Sequence, residues 1–354
     1  PGAGRGHVAA HREGEYVTCT IDPCSTAPGG GARNTDCFAE SLSREQKSAV
    51  RDTAALRRYQ SASLEMKIAY TSAKIRAFSQ YMDGKVYVSF SGGKDSTVLL
   101  DLARQVERDM PAVFFDTGLE FPEIRAHVKS FGNVEIVKPR ASFREVVTAY
   151  GYPVVSKNIS YKVWQARRGS AAALKLFSET KGRFALNRYR YLLDAPFPIS
   201  NKCCDLMKKA PAHDYWRRTG RAPIIGTRCE ESQLRADSWL HNGEMVLDCT
   251  PPRCNPMAIW TASDVDAYIE RRGLSLADVY YMGYKRTGCM YCLYGAQGDG
   301  TPNRVQLLKQ THPAQWVRMM KPLDEGGFGM GEVCDYLGIA TGKDQQSLGG
   351  KEGD

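Results

Sequence analysis

The segment KVYVSFSGGKDST at residues 85–97 constrains the fold of this chain more than any other segment. Its first half alternates Val86, Val88 and Phe90 with other residues, which predicts a strand, and apolar residues then recur at helical spacing. Between the two, a pair of glycines lets backbone N–H groups approach phosphate oxygens at the electropositive start of a helix. Lys94 adds a full positive charge. The segment therefore predicts a pyrophosphate-binding loop at a strand-to-helix turn.

The spacing of this loop differs from the GxxxxGK[ST] pattern of P-loop NTPases. The loop resembles the PP-loop, the SGGxDS signature of the adenine-nucleotide alpha-hydrolase superfamily, which cleaves ATP between the α and β phosphates. The resemblance implies a catalytic role for Lys94 and Asp95. The alternative is an ordinary glycine-rich turn in which Asp95 or Ser96 caps the helix. The expected nucleotide-binding residues of the loop are Ser91, Gly92, Gly93, Lys94, Asp95 and Ser96.

Short apolar runs and helical patterns alternate after the loop. Residues 112–116 and 133–137 predict strands, and helical patterns follow each of them. This alternation predicts an α/β fold, with a parallel twisted sheet covered by helices on both faces. Ligands bind such sheets beyond the carboxyl ends of the strands, where Asp116, Thr117 and Gly118 would lie beside the loop. The two predicted helices span residues 122–129 and 143–150.

Three further segments match one family in order: DTGLEFPE at 116–123, IGTRCEESQLRA at 225–236 and NPMAIWTASDV at 255–265. They resemble the DTGxxFPE, GxRxxxSxxRA and NPLxxWTxxDV segments of the phosphoadenosine phosphosulfate (PAPS) reductases and their relatives. The resemblance spans roughly residues 85–295. It implies an adenine nucleotide as ligand, either ATP with Mg²⁺ or a sulfonucleotide, adenosine 5'-phosphosulfate (APS) or PAPS.

The same resemblance implies that Arg228 and Arg235 hold the anionic groups of the nucleotide. A guanidinium suits this role because its planar fork of donors matches phosphate or sulfate. A pair of solvated charges on a helix face is the alternative. Asp116 would orient Mg²⁺ or the nucleotide, or it would cap the helix that follows.

Four cysteines form two pairs, Cys203-Cys204 and Cys289-x-x-Cys292. If folding brings the pairs together, they complete a four-sulfur shell for a metal centre. Adjacent cysteines that chelate one zinc ion are strained, so we expect a 4Fe-4S cluster ahead of zinc or free thiols. The APS reductases that the chain resembles hold such a cluster in a tandem CC with a distant CxxC. In that comparison Lys208 would tune the cluster or contact an anionic group of the substrate.

Two features depart from the assimilatory reductases. Those enzymes carry their nucleophilic cysteine near the C-terminus in an ECGxH-like segment, whereas the last cysteine here is Cys334, in an amphipathic stretch that favours a core position. Their loops are commonly degenerate, whereas this chain keeps SGGKDS with Lys94. The intact loop indicates adenylation, in which an acceptor oxygen attacks the α phosphorus while Lys94, the loop amides and Mg²⁺ stabilise the departing pyrophosphate.

The stretch at residues 157–192 is rich in Lys and Arg, holds a single acid, Glu179, and is interleaved with aromatic residues. This pattern is typical of a surface that binds RNA through phosphate contacts and base stacking. A solvated helical insertion, or a lid over a polyanionic nucleotide, explains the same residues. A net charge of +9 also favours polyanionic partners.

Composition limits the remaining possibilities. A composition of 42% hydrophobic and 25% charged residues indicates a globular protein. No apolar run reaches the ~18 residues that span a membrane. We therefore expect a cytoplasmic protein with no membrane partner. Eleven cysteines, an odd number, favour thiols and metal ligation over disulfides. The expected organisation is a disordered leader (1–41), a helical segment (42–82), a nucleotide-binding domain (83–275) with the basic insertion (157–192), a C-terminal cluster-binding segment (276–340) and a disordered tail (341–354).

Three functions from different classes follow. The first is an enzyme that cleaves ATP to AMP and pyrophosphate and so activates an acceptor for sulfur transfer, with a desulfurase as sulfur donor. The second is a sulfonucleotide reductase that releases sulfite and takes electrons from a thioredoxin-like protein. The third is a nucleotide- or RNA-binding component of a modification system that performs no catalysis itself.

Overall fold

The computed structural model describes residues 52–342 apart from 181, 183 and 184. The predicted leader and nearly all of the predicted tail lie outside these residues. Within the described part of the chain, no helix is both long enough and apolar enough to cross a membrane.

A six-stranded sheet forms the centre of the molecule, in the order β3-β2-β1-β5-β7-β6. Its neighbouring strands are parallel except for the last pair, β7 and β6. A second sheet pairs β4 with β8, also in parallel. Among the described residues the strands are β1 (Val86–Ser89), β2 (Ala112–Phe115), β3 (Val134–Val137), β4 (Val154–Val155), β5 (Ala222–Ile224), β6 (Met245–Val246), β7 (Arg253–Cys254) and β8 (Leu293–Tyr294).

The predicted α/β fold is confirmed, with one difference at the edge of the sheet. Strand β6 runs antiparallel to β7 because only residues 247–252 connect the two. A parallel pair needs a crossover of about a dozen residues or more, so a connection this short permits only an antiparallel return. Strands β2 and β3 are each one residue shorter than predicted.

Helices follow the strands as the sequence predicts. Helix α4 begins at Pro122, whose missing N–H is not needed in a first turn, and α5 begins with a capping box between Ser142 and Glu145. The helices are α1 (Thr53–Gln60), α2 (Leu64–Tyr81), α3 (Lys94–Val106), α4 (Pro122–Lys129), α5 (Phe143–Tyr150), α6 (Lys157–Arg167), α7 (Ala171–Ser178), α8 (Lys202–Cys204), α9 (Ala210–Thr219), α10 (Gln233–Asn242), α11 (Ala262–Arg272), α12 (Arg304–Thr311), α13 (Pro313–Met320) and α14 (Met330–Tyr336).

Both faces of the sheet are covered. Val86 and Val88 of β1 face the main hydrophobic core, which includes the buried side of α3. Tyr87 points to the opposite face, where its ring lies 4.9 Å from that of Tyr215 in α9. The alternation along β1 therefore buries the strand from two sides, as expected for a central parallel strand.

The N-terminal helices α1 and α2 lie within the predicted helical segment and are fastened to the core by a buried ion pair. Lys67 of α2 is 1% exposed, and its Nζ lies 2.6 Å from Asp264 Oδ2 in α11. The same Nζ donates to the carbonyl oxygen of Gln60 at 2.6 Å. The buried ammonium of Lys67 therefore has two hydrogen-bond acceptors within the protein, a carboxylate and a carbonyl oxygen.

The order of the strands creates a switch point between β1 and β5. From β1 the chain moves to β2 and β3 on one side and later returns to β5 on the other. A crevice opens at the carboxyl ends of strands at such a point, and ligands of open α/β sheets bind there. The loop 91–96 and the segment 225–228 both lie at this end of the sheet. A Cβ on Gly226 would lie 3.1 Å from the carbonyl oxygen of Asp95, so glycine allows the two loops to touch.

Candidate functional site

The glycine-rich loop forms a closed turn at the N-terminus of α3. Ser96 Oγ donates to the carbonyl oxygen of Gly93 at 2.9 Å, and the Ser91 N–H donates to Ser96 Oγ at 3.2 Å. Gly92 has φ +71°, and a Cβ there would lie 2.9 Å from a methyl group of Val128. The turn therefore requires glycine at this position for both backbone conformation and space.

Lys94, the first residue of α3, makes two contacts with distant parts of the chain. Its Nζ lies 2.8 Å from Asp266 Oδ1, and its backbone N–H donates to the hydroxyl of Tyr280 at 2.9 Å. The side chains of Lys94 and Asp266 are 32% and 59% exposed, so solvent screens this ion pair. Asp266 therefore holds Lys94 Nζ only weakly.

Asp95 pairs with Arg228 across the switch point. Arg228 donates from Nε to Asp95 Oδ1 at 2.5 Å and from Nη1 to Glu230 Oε2 at 2.6 Å. Burial raises the pKa of Asp95 against the opposing effect of Arg228. Burial also disfavours the charge of Arg228, but Asp95 outweighs it and raises the pKa of the guanidinium. The pair thus joins the loop after β1 to the segment after β5.

Arg228 and Arg235, the two predicted nucleotide-binding arginines, line one pocket. Thr227 and Asn255 also line it, and Thr227 Oγ1 donates to Asn255 Oδ1 at 3.2 Å. Arg235 forms an ion pair with Glu231 one helical turn away. Arg228 and Arg235 therefore both border one recess, and the hydrogen bond from Arg228 to Asp95 links it to the glycine-rich loop.

Asp116 fixes the turn that precedes α4. Its Oδ1 accepts from Arg125 Nη2 at 2.7 Å and from the Gly118 N–H at 3.0 Å. The neighbouring Thr117 is buried and donates from Oγ1 to Glu120 Oε1 at 2.7 Å. Asp116 does not cap α4, because Phe121 occupies the N-cap position without a side-chain hydrogen bond. The contacts of Asp116, Thr117 and Glu120 instead hold the turn before α4.

The four predicted cluster cysteines line a single pocket together with Lys208. Helix α8 carries Cys203 and Cys204, and Cys289 and Cys292 lie in a turn just before β8. The Met290 N–H donates to the carbonyl oxygen of Leu119 at 2.8 Å, which attaches this turn to the segment after Asp116. A backbone hydrogen bond therefore links the turn that carries Cys289 and Cys292 to the residue that follows the predicted nucleotide-binding segment 116–118.

The four thiols of this pocket differ in how readily they ionise, and the pKa is lowered only for Cys204. The hydrogen bond between the two adjacent thiols lowers the pKa of Cys204 and raises that of Cys203, so Cys204 ionises first. Burial raises the pKa of Cys289 and outweighs the opposing effect of Lys208. Cys289 in turn raises the pKa of Lys208, which keeps a positive charge beside the thiols. Metal binding would draw the protons from such thiols.

Four cysteines are a donor set for either zinc or a 4Fe-4S cluster. Within the described residues, no group of three or more His, Cys, Asp or Glu side chains forms a site that could hold a metal ion. Zinc would need four sulfurs about 2.3 Å from one point. A cuboidal cluster binds each thiolate to a different iron, so its ligands can stand further apart, and four cysteines are its usual donor set.

The other cysteines that the structure describes pack elsewhere. Cys334 is 0% exposed within α14, which confirms its predicted core position. Cys229 and Cys254 are buried as well, and Cys249 is half-buried with its thiol donating to the Pro251 carbonyl oxygen at 3.1 Å. A thiol buried like that of Cys334 cannot attack a substrate.

The basic insertion presents cations and aromatic rings along α6. The rings of Tyr161 and Trp164 stack with centroids 6.2 Å apart. Arg168 lies 4.8 Å and Lys202 Nζ 5.1 Å from the centre of the Trp164 ring. Lys202 directly precedes Cys203, so this face adjoins the cysteine pocket.

Sequence patterns did not reveal three residues at the phosphate loop: Asp266, Tyr280 and Thr287. Asp266 and Tyr280 meet Lys94 across 172 and 186 positions of the chain. Local spacing contains no signal for contacts of this range. Thr287 had one signal, its position two residues before Cys289 in the predicted cluster-binding segment.

A mostly parallel sheet with a glycine-rich phosphate loop at its switch point defines an α/β nucleotide-binding protein. More particularly, the chain belongs to the PAPS reductase family, because the model for the phosphoadenosine phosphosulfate reductase domain matches residues 85–168 and 136–294.

The chain is also similar to individual proteins of known sequence or structure. An adenosine 5'-phosphosulfate reductase from Anoxybacillus flavithermus is 27% identical over 220 residues, which cover 61% of this chain and 75% of that protein. One from Geobacillus kaustophilus is 30% identical over 217 residues, again 61% of this chain and 75% of the relative. The crystal structure of a phosphoadenylyl-sulfate reductase from Candida auris aligns over 75% of this chain and 98% of that one, with 16% identity and a TM-score of 0.40.

Proposed function

We propose that this chain cleaves ATP to AMP and pyrophosphate and thereby activates an acceptor for sulfur transfer. The observation that carries the proposal is the complete Ser91–Ser96 loop at the switch point, with its backbone amides at the N-terminus of α3 and Lys94 beside them. Amides, helix terminus and ammonium together suit a departing pyrophosphate.

In this reaction an acceptor oxygen attacks the α phosphorus of ATP, which enters as its Mg²⁺ complex. The bond to the bridging oxygen breaks, and pyrophosphate leaves with the electron pair. Lys94 would exchange Asp266 for the pyrophosphate. Arg228, oriented by Asp95 and Glu230, and Arg235 would hold the α-phosphate side of the nucleotide. A sulfur donor, here a desulfurase-like protein, would then displace AMP from the acceptor.

Cys203, Cys204, Cys289 and Cys292 would hold a 4Fe-4S cluster in the pocket that they line. When bound, such a cluster supplies one-electron redox chemistry and electrostatic stabilisation. Lys208 would balance the charge of the thiolate ligands. Four protein ligands would leave no iron open, so the sulfur in this proposal comes from the separate donor.

A sulfonucleotide reductase is the second candidate, favoured by the two APS reductase relatives and by the presence of Lys208 among the cysteines. Reduction of APS to sulfite and AMP consumes two electrons, which a thioredoxin-like protein would supply. A non-catalytic nucleotide- or RNA-binding role is the third candidate, and the cationic and aromatic face of α6 favours it.

One experiment separates these functions. The protein is purified anaerobically, its iron and sulfide are measured, and Mg²⁺-ATP, APS or PAPS is supplied separately with a reductant. Pyrophosphate and AMP formed from ATP support the proposal. Sulfite formed from APS or PAPS, without pyrophosphate from ATP, contradicts it and supports the reductase. Binding of ATP without turnover of any of the three nucleotides supports the non-catalytic role.

A further inference from the structure

Two hydroxyl groups from the C-terminal part of the chain cover the phosphate loop. The Lys94 N–H donates to Tyr280 Oη at 2.9 Å, and Tyr280 Oη lies 3.1 Å from Thr287 Oγ1. Thr287 Oγ1 reaches so close to Gly93 that a Cβ there would lie 2.6 Å from it. The protein thus places one of its own oxygens, Tyr280 Oη, on the Lys94 amide at the N-terminus of α3, with Thr287 Oγ1 beside it.

Tyr280 Oη takes the position that a phosphate oxygen needs. An oxygen that accepts from a backbone amide at a helix N-terminus makes the contact by which such termini bind phosphate. Burial raises the pKa of Tyr280, so its hydroxyl stays neutral near pH 7. A neutral hydroxyl is a weaker acceptor than a charged phosphate, because charge-assisted hydrogen bonds are stronger. A phosphate group can therefore displace the Tyr280 hydroxyl from the Lys94 amide. Its net binding is weaker than it would be at an amide without a competing acceptor.

We propose that Tyr280 is a specificity-determining residue, which ligands with a β phosphate displace from the Lys94 amide and which ligands that end at the α phosphate leave in place. This inference rests on the proposed function, because it takes the loop as the site of the departing pyrophosphate. ATP and pyrophosphate compete with Tyr280, whereas AMP does not. Tyr280 therefore weakens the binding of ATP relative to that of nucleotides with a single phosphate.

Displacement of Tyr280 also removes a contact next to the cysteine pocket. Tyr280 lies in the 3₁₀ helix Asp278–Met282, and Thr287 lies two residues before Cys289. When phosphate takes the Lys94 amide, the contact between Tyr280 and Thr287 is released as well. The segment 283–294, which carries both cysteines of the C-x-x-C pair, then loses an anchor on the loop.

Calorimetric titration of the purified holoprotein with inorganic pyrophosphate, ATP and AMP tests the inference. Tyr280→Phe removes the hydroxyl and keeps the ring, and Tyr281→Phe is the matched control because Tyr281 is 78% exposed. We expect Tyr280→Phe to bind pyrophosphate and ATP about threefold to tenfold more tightly, the effect of one competing hydrogen bond. Binding of AMP should not change, and the control should behave as the parent protein does.

Hydrogen exchange gives a second readout. Pyrophosphate should speed exchange across residues 283–294 in the parent protein. In Tyr280→Phe the exchange there should already be fast without ligand. Thr287→Val, which keeps the side-chain shape, serves if Tyr280→Phe does not fold, and should change pyrophosphate affinity in the same direction.

The possible failures are distinguishable. Equal or weaker binding of pyrophosphate by Tyr280→Phe would overturn the inference but leave the loop as the pyrophosphate site. An equal gain in affinity for AMP would also overturn it, since Tyr280 would then not discriminate between the ligands. Failure of the parent protein and all variants to bind pyrophosphate would overturn both the inference and the proposed function.

Discussion

Arg228 and Asp95, which lie 133 positions apart, are joined by a hydrogen bond of 2.5 Å from Nε to Oδ1. The bond spans the switch point of the sheet, so the arginine expected to bind the nucleotide is held by the phosphate loop itself. Glu230 takes a second donor of the same guanidinium. A side chain fixed at two points approaches an anionic ligand with little further loss of conformational freedom.

Replacement of Arg228 by lysine tests this arrangement. Lysine keeps the charge but cannot donate to Asp95 and Glu230 in a fixed plane, so we expect ATP affinity to fall at least about tenfold. Calorimetric titration measures the change. Arg217→Lys is the control, because Arg217 is a largely exposed side chain on α9. Equal affinity in the two variants would show that the geometry of the guanidinium does not matter.

Lys94→Ala should abolish release of pyrophosphate from ATP and leave iron and sulfide content unchanged. The reason is that Lys94 lies at the start of α3, whereas the cysteines line a separate pocket. A pyrophosphate assay and an iron determination on the same preparation measure the two effects. Lys129→Ala removes an exposed lysine of α4 and is the control. It should change neither the release of pyrophosphate nor the iron and sulfide content. Unchanged turnover in Lys94→Ala would exclude the role proposed for Lys94.

Cys289→Ser should lower the iron and sulfide bound per chain, because a serine hydroxyl does not replace a thiolate on iron. Anaerobic purification followed by iron and sulfide assays measures this. Cys249→Ser is the matched control, since Cys249 lies outside the pocket and serine can keep its hydrogen bond to the Pro251 carbonyl oxygen. A loss of iron from both variants alike would argue against the four-cysteine pocket as the cluster site.

The ion pair between Lys67 and Asp264 should make stability depend on pH in the acid range. Burial alone would raise the pKa of Asp264, but hydrogen bonds from Lys67 and Thr261 outweigh it and lower the pKa. The folded state therefore binds this proton less readily than the unfolded state. The stabilisation is complete above the ordinary Asp pKa of about 3.9 and is lost as pH falls through the lowered folded value.

Lys67→Met tests this pH dependence. It leaves the Asp264 carboxylate without its buried partner and should reduce the free energy of unfolding near pH 7 by about 3–5 kcal/mol. Urea unfolding between pH 7 and pH 3 should show the two proteins converging below about pH 4. A difference that stays constant across this range would mean that Asp264 does not carry the effect.

Much of the fold followed from local patterns. Alternation along β1 and the helical patterns at 122–129 and 143–150 are short-range signals, and the elements that they predict are present. The antiparallel direction of β6 was missed because two-residue strands carry too little periodicity to be recognised. The roles of the site residues in binding and catalysis stay predictions.

The sequence by itself determined the local features: the glycine-rich turn, the helix that starts at Lys94 and the period-two strand before it. Backbone sterics and side-chain spacing act over a few residues, so a single sequence reveals them. Only the tertiary structure decided that Tyr280 covers the Lys94 amide and that Cys203, Cys204, Cys289 and Cys292 line one pocket. Such contacts depend on how whole elements pack, and chain positions 186 residues apart carry no local trace of their meeting.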